Sequence, residues 1–148
     1  MQTHLNREIK QRLSPPLIQG VYFSSSQIDS DRETNRLLTL TYLVSNKCNF
    51  SCPYCYTNAG TALRNELSLN EFKTVFEQAK ILGAKTIWIP GSGEPFLDTN
   101  FFDNGQFPLI DYANSHGLSV TFFTNGYFVT EEIAETLAKK NVSVVTKV

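Results

Sequence analysis

Three cysteines constrain this chain more than any other feature. Cys48, Cys52 and Cys55 are the only ones in 148 residues, and they fall within the stretch Cys48-Asn49-Phe50-Ser51-Cys52-Pro53-Tyr54-Cys55. Thiolates in the spacing CxxxCxxC converge on one metal centre only if the backbone curls around it, and Asn49, Ser51 and Pro53 are residue types that let a loop do so. An odd cysteine count with no secretory context argues against a disulfide framework. A structural zinc site asks for four nitrogen or sulfur ligands. The only histidines are His4, near the N-terminus, and His116, which is expected at the wrong end of a helix. A ferredoxin-like electron carrier needs a fourth cysteine. Ahead of these readings stands an iron–sulfur cluster with three protein ligands and one iron open to something else, a hypothesis that the rest of the chain has to support.

The rest of the chain gives that loop a setting. Hydrophobic residues make up 41% of the sequence and charged ones 18%, enough for a sizeable core and against wholesale disorder. A net charge of −1 argues against a protein dominated by binding to nucleic acid or another polyanion. Met1 to Leu13 is polar and does not read as a signal peptide. No stretch approaches the ~20 apolar residues of a membrane helix. A soluble, cytoplasmic protein is therefore expected, since clustered free thiols call for a reducing compartment.

Leu5, Ile9 and Leu13 recur at helical spacing before Ser14-Pro15-Pro16, Leu17 to Phe23 reads as a small strand, and Ser24 to Arg36 as a polar loop. Residues 1–36 thus read as a lead-in segment packing against a main domain over 37–148. From Leu37 the pattern becomes strand–helix alternation. Leu37 to Val44 is an apolar, β-branched run that leads into the cysteine loop. Ser68-Leu69-Asn70-Glu71 has the form of a capping box, followed by Phe72, Val75, Phe76, Ala79 and Leu82 on one helical face and Gly83 as the stop. Thr86 to Ile89 is a second strand, leading into Gly91-Ser92-Gly93-Glu94-Pro95. A helix over Pro108 to His116, a strand over Leu118 to Phe123, a helix capped by Thr130 and a strand over Val142 to Val148 complete the pattern. Such alternation means parallel strands. The cysteine loop, GSGEP and Thr124-Asn125-Gly126 each follow a strand, so all three share the C-terminal edge of the sheet, where α/β proteins carry their sites.

CxxxCxxC with an aromatic before its last cysteine resembles the signature of the radical S-adenosylmethionine (SAM) superfamily, and the βα order over residues 37–148 is similar to that family's core. The resemblance implies an α/β fold, a partial (β/α) barrel represented here by about its first four parallel strands and three helices. It implies Cys48, Cys52 and Cys55 as ligands of a [4Fe–4S] cluster, with SAM on the open iron through its methionyl amino and carboxylate groups. Tyr54 matches the position near the SAM adenine, with ordinary packing as the alternative. Gly91, Ser92, Gly93 and Glu94 resemble the family's GGEP motif, whose backbone groups bind the methionyl amino group, with Ser92 departing from the pattern at the first of its glycines. Glycine suits such a place because a side chain would hold the ligand off the main chain.

Thr124 and Asn125 match a polar strand end that lines the SAM or substrate pocket, although Asn-Gly is equally a turn signal. Lys147 is placed either to reach a carboxylate at that edge or to face solvent. The resemblance further implies one-electron reduction of SAM by a low-potential flavodoxin- or ferredoxin-like donor, a 5′-deoxyadenosyl radical, and hydrogen abstraction from a substrate that the family analogy leans towards being a peptide. Val148 ends inside a strand, so the core is expected to be incomplete. The alternatives are a truncated, non-catalytic iron–sulfur module and one half of a split enzyme.

Overall fold

The β-branched runs and amphipathic stretches form the alternation their spacing predicts. The computed structural model describes residues 18–20 and 22–146. Four parallel strands, β1 (Thr39–Thr41), β2 (Thr86–Ile89), β3 (Ser119–Thr124) and β4 (Val142–Thr146), lie side by side in sequence order. Leu40, Ile87, Val120 and Val142 stand in register and so share one face of the sheet. That face packs with the apolar sides of α2 (Leu69–Ile81), α3 (Pro108–Ser115) and α4 (Glu131–Ala138) in one core. Ser68 caps α2 with the predicted reciprocal pair, its amide donating to Glu71 Oε2 at 2.8 Å while its hydroxyl accepts from the Glu71 amide. Gly83, at φ +103°, ends the same helix in the left-handed conformation that glycine adopts without strain.

The core beneath the site is aromatic. Phe96 lies in a short 3₁₀ helix (Pro95–Leu97) directly after Glu94, and its ring meets Phe101, Phe107 and Phe122 edge-on. Those three partners are fully buried. Burying one such ring stabilises by roughly 1.5–3 kcal/mol, so the segment leaving the GSGEP turn is firmly anchored.

Several boundaries differ from the sequence reading. Ser24 to Arg36 is not a loop: α1 (Ser25–Glu33) occupies it, with Ser24 accepting from the Gln27 amide as its cap. The helix has no apolar stripe to announce it. It docks instead through Asp31, whose carboxylate meets Lys85 Nζ at 3.0 Å at the start of β2. The described part of 17–23 is not a strand either. Its backbone is held by side-chain hydroxyls: Thr121 donates to the Gln19 carbonyl at 2.7 Å, Thr39 donates to that of Gly20 at 3.2 Å, and Ser143 Oγ accepts from the Gln19 amide at 3.3 Å. β1 is shorter than Leu37–Val44, because the chain peels away towards the cysteines after Thr41. The expected helix over Leu5 to Leu13 and Lys147 lie outside the described residues.

Candidate active site

The loop from Tyr42 to Leu67 is shaped by its own main chain and one carboxylate. Lys47 and Gly60 form an isolated parallel bridge, with the Cys48 amide donating to the Gly60 carbonyl at 3.1 Å and the Gly60 amide to that of Asn46 at 2.8 Å. Pro53 fixes a tight turn in which the Cys55 amide donates to the Cys52 carbonyl at 3.0 Å. The carboxylate of Glu66 closes the loop across its neck. It accepts from the Asn46 and Leu63 amides and from the Ser45 hydroxyl, each at 2.8 Å. Burial alone would push this carboxyl up, but those hydrogen bonds, with Lys47 nearby, outweigh it and hold Glu66 below the ordinary glutamate value.

A carboxyl lowered in the folded state stabilises at pH above its ordinary value and loses that contribution as pH falls through the lowered one. Amide protection at Asn46 and Leu63, corrected for intrinsic exchange, is therefore expected to fall on acidification below the ordinary glutamate range. Glu66→Gln should lower it already at neutral pH and flatten its dependence on pH. Equal protection in the two proteins at neutral pH would show that the neck is closed by something else.

The three thiols are free and half-buried. Cys48 Sγ accepts from the Phe50 amide at 3.5 Å, and Cys55 Sγ accepts from the Ala59 amide at 3.5 Å and lies 3.3 Å from the Thr57 hydroxyl. The hydrogen bond to Thr57, with those from the backbone amides, lowers the Cys55 thiol to about 7. Thiolate is the form that binds metal, so this sulfur is prepared for ligation. Among the described residues no three His, Cys, Asp or Glu side chains are grouped to hold a single ion. Three thiols that each take a different iron of a cluster stand farther apart than three on one ion, and an all-sulfur donor set suits iron–sulfur chemistry.

The turn after β2 meets this loop backbone to backbone. The Gly93 amide donates to the Ser45 carbonyl at 2.9 Å and the Glu94 amide to that of Lys47 at 2.8 Å. With those N–H groups consumed, Gly91 and Ser92 present carbonyl oxygens. The Gly91 carbonyl accepts from Tyr56 Oη at 3.4 Å and the Ser92 carbonyl from Thr57 Oγ1 at 2.9 Å. Each carbonyl oxygen keeps a second lone pair. Each can therefore accept from one further donor.

Glu94 is buried at 2% exposure and ties the ends of two strands together. It accepts from the Thr124 hydroxyl at 2.7 Å and the Asn125 amide at 2.8 Å. Asn125 Nδ2 then donates to Asn49 Oδ1 at 2.9 Å, joining β3 to the cysteine loop.

Cys48, Cys52, Cys55 and Tyr54 line one cleft of about 420 Å³ together with Gly91, Ser92, Gly93 and Glu94 of the β2 turn and Thr124 and Asn125 of β3. These ten candidate residues are thus in one cavity, and Tyr54 stands 78% exposed. His116 caps the C-terminal end of α3, which leads into β3 at the opposite edge, and its Nδ1 lies 2.9 Å from the Tyr112 carbonyl. Asn46, Asn49, Thr57 and Glu66 escaped the sequence reading, since each is defined by a partner on another stretch of chain and carries no local pattern.

Comparison with known proteins places this geometry. A family model for the Radical SAM superfamily matches residues 42–146. Mycofactocin maturase MftC of Mycolicibacterium smegmatis is 31% identical over 108 residues, which cover 73% of this chain and 26% of that protein. Radical SAM cyclopropyl synthase TigE of Paramaledivibacter caminithermalis is 29% identical over 154 residues, 84% of this chain and 32% of that protein. The chain thus spans about a quarter to a third of the length of these curated relatives. Among solved structures, Streptococcus suis SuiB bound to S-adenosylmethionine superposes with a TM-score of 0.61 at 20% identity, over 98% of this chain and 35% of that one. BtrN in complex with AdoMet and 2-DOIA gives 0.59 at 22% identity, over 76% and 46%. The open parallel sheet and its helices are the partial barrel of these enzymes, and the chain belongs to the radical SAM superfamily.

Proposed function

We propose that residues 37–148 carry the cluster- and SAM-binding part of a radical SAM enzyme that acts on a peptide. One observation carries the reading: three thiols, the GSGEP turn and the Thr124-Asn125 strand end line a single cleft at the C-terminal edge of the sheet. In this reading Cys48, Cys52 and Cys55 hold a [4Fe–4S] cluster, and the Gly91 and Ser92 carbonyls accept from the cationic amino group of SAM. Tyr54 lies beside the adenine. Thr124 and Asn125 form the wall towards the substrate, and buried Glu94 fixes that wall to the GSGEP turn. Bound there, cluster and SAM supply reductive cleavage of a sulfonium carbon–sulfur bond and a carbon radical for hydrogen abstraction. The electron comes from a low-potential flavodoxin- or ferredoxin-like protein, in a reducing cytoplasm. The peptide is inferred from relatives named as maturases, and from the SuiB structure bound to precursor peptide SuiA. No helix among the described residues is long and apolar enough to cross a membrane.

Anaerobic reconstitution with iron and sulfide is expected to give a brown protein with a [4Fe–4S] spectrum. In the reduced protein, SAM should shift the electron paramagnetic resonance signal, because an open iron is available to it. Stoichiometric zinc in anaerobically isolated protein, or a signal indifferent to SAM, would overturn the reading.

A further inference from the structure

The Gly91-Ser92-Gly93 turn demands glycine at two positions and admits a side chain at one. Gly91 has φ +81°, in the left-handed region. A Cβ at Gly93 would lie 2.0 Å from the Lys47 carbonyl oxygen. Ser92, between them, is not among the described residues with left-handed backbone. Its side chain is used: Ser92 Oγ donates to Asn46 Oδ1 at 2.8 Å. Its carbonyl is used as well, accepting from Thr57 Oγ1 at 2.9 Å.

Both partners are themselves fixed. Asn46 donates its amide to Glu66 and its Nδ2 to the Thr61 carbonyl at 3.3 Å, which leaves Oδ1 facing Ser92. Thr57 is two residues past Cys55 and touches its sulfur. Ser92 is thus held from two sides, by loop residues that precede and follow the cysteines.

We propose that Ser92 is a positioning residue: Asn46 and Thr57 clamp it so that its carbonyl is fixed in advance for the cationic amino group of SAM. The inference rests on the proposed function and deepens it. A carbonyl already accepting from a hydroxyl is polarised and keeps one lone pair for a second donor. A glycine in the same place would lose the bond to Asn46 and gain backbone freedom, both of which loosen that oxygen. Restoring the family's glycine at this position should therefore weaken the site rather than improve it.

The test is SAM affinity, measured by anaerobic equilibrium binding to reconstituted wild type, Ser92→Gly and Ser92→Ala, with iron and sulfide content and melting temperature recorded for each. Ser92→Gly is expected to raise the SAM Kd about tenfold, the effect of one lost hydrogen bond with added backbone freedom. Ser92→Ala, which keeps the Cβ, is expected to raise it severalfold. Iron content should stay as in wild type, and the melting temperature should fall by no more than about 2–4 °C. For an analogue of SAM lacking the amino group, all three proteins should bind alike. Unchanged or tighter SAM binding by Ser92→Gly, an equal loss for the analogue, or a parallel loss of iron each overturns the positioning role. Wild type that binds no SAM overturns the proposed function and this inference together, whereas wild type that binds it no better than the variants overturns the inference alone.

Discussion

Cys48→Ala, Cys52→Ala and Cys55→Ala are each expected to lower iron in the reconstituted chain from about four atoms to near zero, while the apo proteins melt close to wild type. The two halves of this expectation have different origins. The cysteines are half-buried and none belongs to the hydrophobic core, so losing a sulfur removes little packing. Exposed or half-exposed substitutions of that kind shift stability by only about ±0.5 kcal/mol. The proposed cluster, by contrast, would have these three sulfurs as its protein ligands, with no other cysteine in the sequence to replace one. Ser51→Ala is the control, since Ser51 is exposed and lies between two of the cysteines. A full complement of iron in any one of the cysteine variants would exclude the three-ligand arrangement. Unfolding of the apo variants would show that the thiols serve the fold instead.

What the sequence made legible follows the range of each interaction. The capping box at Ser68 and Glu71, the stop at Gly83 and the runs that became β2 and β3 are local patterns, and the structure keeps them within a residue or so. The meeting of the cysteine loop, GSGEP and Thr124-Asn125 was legible too, because parallel connections leave every post-strand motif at the same edge. α1 was not legible: its ten-residue neighbourhood is polar, and its one firm anchor, Asp31 to Lys85, spans 54 positions. Glu66 was silent for the same reason, since its partners Ser45 and Asn46 lie about twenty residues earlier. Ser92 reads in the sequence only as a departure from the GGEP pattern, whereas in the structure it makes a bond to Asn46 across 46 positions. Local rules find where a turn is; they do not find what holds it.

Gly93 separates two reasons for glycine in this turn, and its substitution is expected to damage both the fold and the site. The sequence reading assigned this glycine to close approach by the ligand. The structure supplies a nearer obstacle, because an added Cβ would stand 2.0 Å from the Lys47 carbonyl oxygen, 2.6 Å from its carbon and 2.8 Å from the Asn46 carbonyl carbon. All three are backbone atoms of the cysteine loop, so no rotamer change relieves the clash. The loop has to move, and moving it breaks the hydrogen bonds from the Gly93 and Glu94 amides to Ser45 and Lys47. Two such bonds at about 0.5–1.5 kcal/mol each, together with overpacking of about 1–3 kcal/mol, give a cost on the order of 2–6 kcal/mol. Gly105→Ala isolates the left-handed strain that Gly91 shares and Gly93 does not, since Gly105 has φ +81° and nothing within 4 Å of its added Cβ. Left-handed strain alone costs about 1–2 kcal/mol. Gly91→Ala, at the same φ and with its nearest neighbour at 3.4 Å, should fall close to Gly105→Ala in denaturant unfolding. Gly93→Ala should lie well beyond both and also fail to take up iron, because the displaced backbone is the one that carries Cys48. If Gly93→Ala cost no more stability than Gly105→Ala and still incorporated a cluster that bound SAM weakly, ligand approach would be the reason for this glycine and the backbone contact would not.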